Sequence, residues 1–381
     1  MSQVAVSDLR ERLARLGAPP RPRPPRPAQQ PMPRGFEVRA TPYGDAFLRE
    51  DVLSLPVLEP DPGRVAYIDT ETTGLSGGTG TFVFAAAIAQ PIDCGLRLAQ
   101  LFLPQPSMEP AFLHVFRSEL DGADAVASFN GGSFDLPMLR TRWVMARMPG
   151  ELTNPPHIDL LTLVRSLYRH VLESCTLRNV EERLLGYERD DPISGAQAPE
   201  AYFAFLRREP GALLEMTLEH NRLDVISLVH LHSRLLRRLG GADAGMDAAD
   251  WLALGRHRLR RGARADAWKA LRNAAGFGRG EAAATAGLHI AGRLTRRGSA
   301  AGAEALLGWL ESRVTDDVRL PVARAKLLEW RRREPGLALE IVEAAQRRLP
   351  DMAPELERRR ERLARKAQKR ARPSQSSLLL G

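Results

Sequence analysis

The sequence predicts an α/β protein, a mixed sheet flanked by helices, followed by an all-α region of helical repeats. Short runs rich in Val, Ile and Phe, bounded by glycine and polar turns, alternate with helix-period segments up to Gly240. After Gly240 the strand signals stop, and residues 241–350 read as Ala-, Leu- and Arg-rich helices. Turn points at Arg261-Gly262, Arg297-Gly298 and Arg333-Glu334 recur every 36 residues, close to the period of tetratricopeptide helix pairs.

The chain of 381 residues is 44% hydrophobic, enough for a large core and an appended domain. It carries a net charge of +9 and a pI near 10.2, and 51 of its 55 basic residues are arginine. Guanidinium forks suit phosphate, so nucleic acid is the expected polyanionic partner. An arginine bias inherited from genome base composition is the competing reading. No apolar run reaches the ~18 residues of a membrane helix, and no membrane association is expected. The first residues, Met1 to Val6, lack a basic segment followed by an apolar one, so no secretory signal is expected either. Cys94 and Cys175 lack metal-site spacing and read as reduced thiols, which points to the cytoplasm.

In chain order, residues 1–17 have Val6, Leu9, Leu13 and Leu16 at helical spacing, a short amphipathic helix. Residues 18–34 are a Pro/Arg-rich linker that cannot bury a core. Residues 35–240 form the α/β domain. It begins with weak extended pieces near Phe36–Ala40 and Phe47–Leu55, then a buried strand over Arg64–Ile68. Phe82–Ala89 and Leu96–Leu103 complete a three-strand meander, and Ala125–Phe129 is a fourth strand. Helices are expected over Glu109–Leu120, Leu136–Met148, Leu160–Leu172, Thr176–Leu185, Pro199–Arg208 and Leu213–Leu239, with a polar loop over Gly186–Pro199. The repeats (241–350) pair Trp251–Arg260 with Ala263–Ala275 and Glu281–Arg296 with Ser299–Arg313. Residues 351–381 hold a basic helix, Pro354–Arg370, and a disordered tail.

Chemistry concentrates where the first buried strand ends, at Asp69-Thr70-Glu71-Thr72-Thr73-Gly74-Leu75. Carboxylates at i and i+2 of an extended chain share one face and repel, unless a divalent cation joins them. The competing reading is a solvated strand end. Asp135 lies after the fourth strand, near a helix start, where α/β sheets hold their sites or where it merely favours the helix dipole. His220 and Asp224 are four residues apart on one helix face, with either a functional role or a structural hydrogen bond. The Ser76–Thr81 glycine loop lacks the Gly-Lys-Ser/Thr ending of a P-loop. It reads equally as a flexible hairpin connection or as backbone that approaches a nucleotide.

Asp69-x-Glu71, Asn130-x-x-x-Phe134-Asp135 and His220-x-x-x-Asp224 together resemble the DEDD (DnaQ-like) 3′→5′ exonuclease superfamily. The loop after Glu71, with Ser128-Phe129-Asn130-Gly131 and His220-Asn221-Arg222-Leu223-Asp224, resembles its YprB-like, ribonuclease H-like family. That resemblance implies a ribonuclease H-like sheet over residues 35–240 and C-terminal tetratricopeptide-like repeats. It implies a nuclease in which Asp69, Glu71, Asp135 and Asp224 hold two Mg²⁺ or Mn²⁺ ions, about 3.5–4 Å apart. It further implies substrate contacts from Thr72, Gly74, Leu75, Asn130 and Phe134. It places DNA ahead of RNA as substrate, in repair or processing, with a protein partner, a helicase among the candidates, on the repeats. One departure stands out. His220 lies four residues before the last aspartate, the spacing at which that superfamily places tyrosine, where a histidine would stand five before. Its role as general base therefore stays open, beside the alternative of a non-catalytic scaffold that grips nucleic acid and recruits a partner through its repeats.

Overall fold

The structure is a computed structural model that describes residues 32–54, 61–74, 79–93, 95–148, 156–189 and 195–371. The expected helix over 1–17, most of the linker, Leu75, Cys94 and the tail after Ala371 lie outside the described residues.

Seven strands form one mixed sheet: β1 (Glu37–Thr41), β2 (Gly44–Leu53), β3 (Val65–Thr72), β4 (Val83–Ile92), β5 (Gly95–Phe102), β6 (Ala125–Ser128) and β7 (His157–Asp159). Their order across the sheet is β1-β2-β5-β4-β3-β6-β7. The expected meander is β3-β4-β5, all antiparallel, while β6 runs parallel to β3 and β7 parallel to β6. β3 therefore lies where the sheet changes from antiparallel to parallel pairing, well inside both edges. The weak pattern before Gly63 resolves into β1, which is exposed along nearly its whole length, and β2, which is buried only at Ala46 and Leu48. Val38 and Val52 are more than half exposed, so no continuous apolar run marks them.

Alternation along β3 divides the core. Ile68 joins Phe84, Phe102, Phe112, Phe116 and Tyr202 on one face, beneath α1 (Glu109–Glu119), α2 (Asp135–Met145) and α5 (Ala198–Leu206). Tyr67 joins Ala87, Leu98, Val164, Val225 and Leu228 on the other, beneath α3 (Leu160–Tyr168) and the long α6 (Ala212–Gly240). Asp69 and Glu71 share the parity of Tyr67, so β3 directs them to the α6 side.

The helix expected over Thr176–Leu185 is a short α4 (Leu177–Val180) that continues as a π-helical turn to Leu185. The helix expected to reach Leu172 stops at Tyr168. Part of the polar loop, Gly195–Gln197, is a 3₁₀ turn leading into α5.

After Gly241 the described chain is helical: α7 (Ala248–Arg260), α8 (Arg264–Gly276), α9 (Gly280–Arg296), α10 (Ala300–Glu311), α11 (Arg319–Leu327), α12 (Pro335–Arg348) and α13 (Ala353–Ala371). α7 packs on α3, and from α8 onward each helix packs on the one before it. α11 runs on as a π-helical turn, Leu328–Arg332. The first pair is welded to the α/β region, for Leu254 and Ala270 belong to the core of Val164 and Leu235. His170 Nε2 (2.9 Å) and Arg238 Nη1 (3.0 Å) both pair with Asp250.

Candidate active site

The end of β3 opens into a cleft of about 920 Å³, lined by Asp69, Glu71, Asp135 and Asp224 together with Thr72, Phe134 and His220. Each comes from a different local device. Asp69 and Glu71 stand opposite Ala87 and Ala85 on β4, and the register shifts between Glu71 and Thr72, which bends the strand as it enters the cleft. Asp135 is the first residue of α2. Between β6 and α2 the chain turns at Asn130, whose φ is 68°, and Gly131. A Cβ on Gly131 would lie 2.1 Å from Ser128 Oγ and 2.8 Å from Asp135 Oδ2, so only glycine fits there. His220 and Asp224 come from the first half of α6.

Polar contacts fix these side chains. Asn221 Nδ2 donates to Asp69 Oδ2 at 2.7 Å and to the Asp69 carbonyl at 3.1 Å. Gln100 Nε2 on β5 donates to Asn221 Oδ1 at 2.9 Å, and Arg49 Nη2 donates to Gln100 Oε1 at 2.7 Å. Thr70, pointing away from Asp69, donates its hydroxyl to Asp135 Oδ1 at 2.5 Å. Arg142 makes a buried two-pronged pair with Glu109 (2.5 and 2.6 Å) and donates to the Thr79 carbonyl at 2.7 Å, tying the end of the glycine loop to α2.

The electrostatics are lopsided. Burial, then repulsion from Asp224, Glu71 and Asp135, pushes the Asp69 carboxyl well above its ordinary range, opposed only by Asn221. Burial, then Asp224 and Asp135, does the same to Glu71. Burial raises Asp135 too, partly offset by Thr70. Among the described residues no Lys, Arg or His forms an ion pair with Asp69, Glu71 or Asp135. Asp224 differs. Arg189 Nη1 lies 2.5 Å from its Oδ1, and His220 Nε2 lies 3.7 Å from its Oδ2. Arg189 also reaches Glu181 and, at 2.8 Å, Ser227 Oγ.

This donor set suits hard divalent cations: partly buried carboxylate oxygens, mutually repelling, three of them without a counter-charge among the described residues. The four are spread. Among the described residues, the trio whose ligand atoms all lie within 4.8 Å of one another is elsewhere: His170, Asp247 and Asp250. That trio is already occupied by protein. Asp247 and Asp250 cap α7 reciprocally, and although burial opposes it, His170 and Arg238 bring Asp250 down to about 2. It works as a structural lock.

Of the substrate contacts expected from the sequence, Thr72, Gly74 and Phe134 line the cleft, and Phe134 is 57% exposed. Asn130 does not. Its N–H donates to Asp159 Oδ1, which also caps α3. Sequence reasoning assigned no role to Asn221, Gln100 or Arg189. Asn221 stands inside the quoted His220–Asp224 segment, and its full burial marks it as a bonded polar group.

With the geometry established, comparison with known proteins defines the class. Residues 66–236 match the model of the RNase H superfamily, so this region is an RNase H-like domain, a fold commonly used by nucleases that employ divalent metals. One relative, described as the uncharacterized protein YprB of Bacillus subtilis (strain 168), is 35% identical over 175 residues. The match spans 45% of this chain and 42% of that protein. Among solved structures, the family B DNA polymerase of the hyperthermophilic archaeon Pyrobaculum calidifontis matches with a TM-score of 0.37 and 16% identity, over 55% of this chain and 30% of the polymerase.

Proposed function

We propose that the chain is a DEDD-type exonuclease that hydrolyses nucleic acid from the 3′ end, with DNA ahead of RNA as substrate, in repair or processing. The observation that carries this reading is the set Asp69, Glu71 and Asp135, which line one cleft and raise one another's pKa, with no cation paired to them among the described residues. Such a cluster resists ionisation unless metal supplies the missing charge.

In this reading Asp69, Glu71, Asp135 and Asp224 hold two Mg²⁺ or Mn²⁺ ions, which when bound acidify water and neutralise the leaving 3′-oxygen. The chain's own groups do the rest. Asn221 keeps one Asp69 oxygen turned toward α6, leaving the other to face the cleft. Phe134 offers an exposed ring on which a terminal base stacks. Thr72 and Gly74 bring backbone and hydroxyl to the same nucleotide. His220 accepts a proton at Nε2, beside Asp224, whose carboxylate steadies the resulting imidazolium. Residues 241–350 serve as tetratricopeptide-like repeats that dock a protein partner, for which a helicase is a candidate.

A second reading has one observation in its favour. Arg189 occupies an oxygen of Asp224, as a guanidinium would in a retired site that only grips nucleic acid. The test uses 3′- and 5′-labelled DNA and RNA oligonucleotides with Mn²⁺, Mg²⁺ or EDTA, beside Asp69→Ala. Metal-dependent stepwise loss from the 3′ end, abolished in the variant, is expected. Binding without cleavage under every condition would promote the scaffold reading instead.

A further inference from the structure

The charge of the chain is unevenly divided. Of 55 basic residues, 29 lie from Gly241 onward, against 17 of the 46 acidic ones. The last 141 residues thus carry a net +12, while the first 240, which hold the carboxylate cleft, carry a net −3. Without metal, a polyanion approaching the cleft meets like charge, and the net positive charge of the chain lies in the helical region.

That region gathers its cations along a track. On α8 and α9, Arg272, Arg293 and Arg297 crowd one another. Burial and then these two neighbours push the Arg293 guanidinium down, and no carboxylate offsets them. Arg293 lies 4.3 Å above the ring of Trp268. One turn further on, Arg296 enters a groove of about 360 Å³ between α9, α10 and α11, which it lines with Lys326, Arg331 and Trp330 over an aliphatic floor; no acidic residue lines it. Trp330 is 62% exposed, and Lys366 Nζ sits 3.8 Å from its ring centroid. Among the described residues Arg272, Arg296, Arg297, Lys326 and Arg331 form no ion pair.

We infer that this track, from Arg272 through Arg296 to Lys326, Trp330 and Arg331, is a binding path for single-stranded nucleic acid. Unpaired guanidinium and ammonium groups contact successive phosphates, and the exposed tryptophan face stacks a base. The choice of nucleic acid over an acidic protein segment rests on the exonuclease reading above, in which the cleft takes the end of a strand.

The experiment measures anisotropy of a labelled oligothymidylate with the full chain in EDTA, over a range of salt. In parallel, metal-dependent hydrolysis of the p-nitrophenyl ester of thymidine monophosphate reports the cleft alone. The Arg296→Ala/Lys326→Ala/Arg331→Ala variant is expected to bind the strand about tenfold or more weakly, and its log–log salt slope should flatten by about 2. Trp330→Ala should weaken binding about fivefold. Both should hydrolyse the small ester as wild type does, whereas Asp69→Ala should lose hydrolysis yet bind the strand normally. Track variants that bind like wild type would overturn the inference, whatever the hydrolysis results. So would poly-glutamate that binds more tightly than an oligonucleotide of equal charge. If no form hydrolyses the ester but the track variants lose binding, the track stands and the exonuclease reading falls.

Discussion

Arg189 reaches 35 residues along the chain to place Nη1 2.5 Å from Asp224 Oδ1. The guanidinium stands where a cation is needed, and its single charge is shared between Asp224 and Glu181. Metal at Asp224 must compete with it. Arg189→Ala is therefore expected to lower the melting temperature of the metal-free protein, at a cost of about 2–3 kcal/mol from two stranded carboxylates. Mn²⁺ should then raise that temperature more in the variant than in wild type. Equal metal-induced gains in both proteins would show that Arg189 and metal do not compete.

Asn221 is the link between α6 and Asp69, so its removal should disorient the carboxylate without touching its charge. We expect Asn221→Ala to weaken Mn²⁺ binding by about 10–100-fold, read by isothermal titration, with cleavage falling in proportion. Asn221→Asp, which adds a buried carboxylate beside Asp69, should destabilise the metal-free fold further. Metal affinity unchanged in Asn221→Ala would mean that Asp69 is held by β3 alone.

Gly131 lies against Asp135 and Ser128 with no room for a methyl group. Gly131→Ala should cost about 1–3 kcal/mol of stability, measured by urea denaturation, and displace Asp135 enough to abolish metal-dependent cleavage. Gly74→Ala, where a Cβ would meet Thr81 only at an ordinary 3.5 Å, is the control that should fold as well as wild type.

His232 sets an acid limit on the fold. Its Nδ1 lies 2.8 Å from the buried Tyr67 hydroxyl, and burial lowers its pKa to about 4. Above pH 6.5 folded and unfolded chains are both neutral at this residue. Below that, the unfolded chain takes up a proton and the folded one does not, so stability drains away until the pH reaches about 4. The full loss is about 3 kcal/mol. Thermal melts between pH 7 and 4 should show a steeper fall for wild type than for His232→Gln, and parallel curves would remove His232 from the account.

Much of this was legible in the sequence where one signal sufficed. Val65–Ile68 is fully apolar because β3 is covered on both faces, and the i, i+2 pair Asp69/Glu71 follows it on one side. β7 left no trace, since three residues that run straight into a helix carry no periodicity of their own. Gln100 reads as the polar half of an alternating strand, although the structure buries it under α6. Arg189 looked like one more charge in a polar loop. Its meaning depends on a helix 35 residues away, and no local pattern encodes that distance.

At 1.5 Å per residue, the 29 residues of α6 extend about 43 Å. Its first half carries Asn221 and Asp224. Its last turn carries Arg238, stacked on Tyr168 and paired with Asp250 of the helical region. One helix thus spans the distance from the cleft to the junction near Gly240. Removing either part would strip apolar cover from the other.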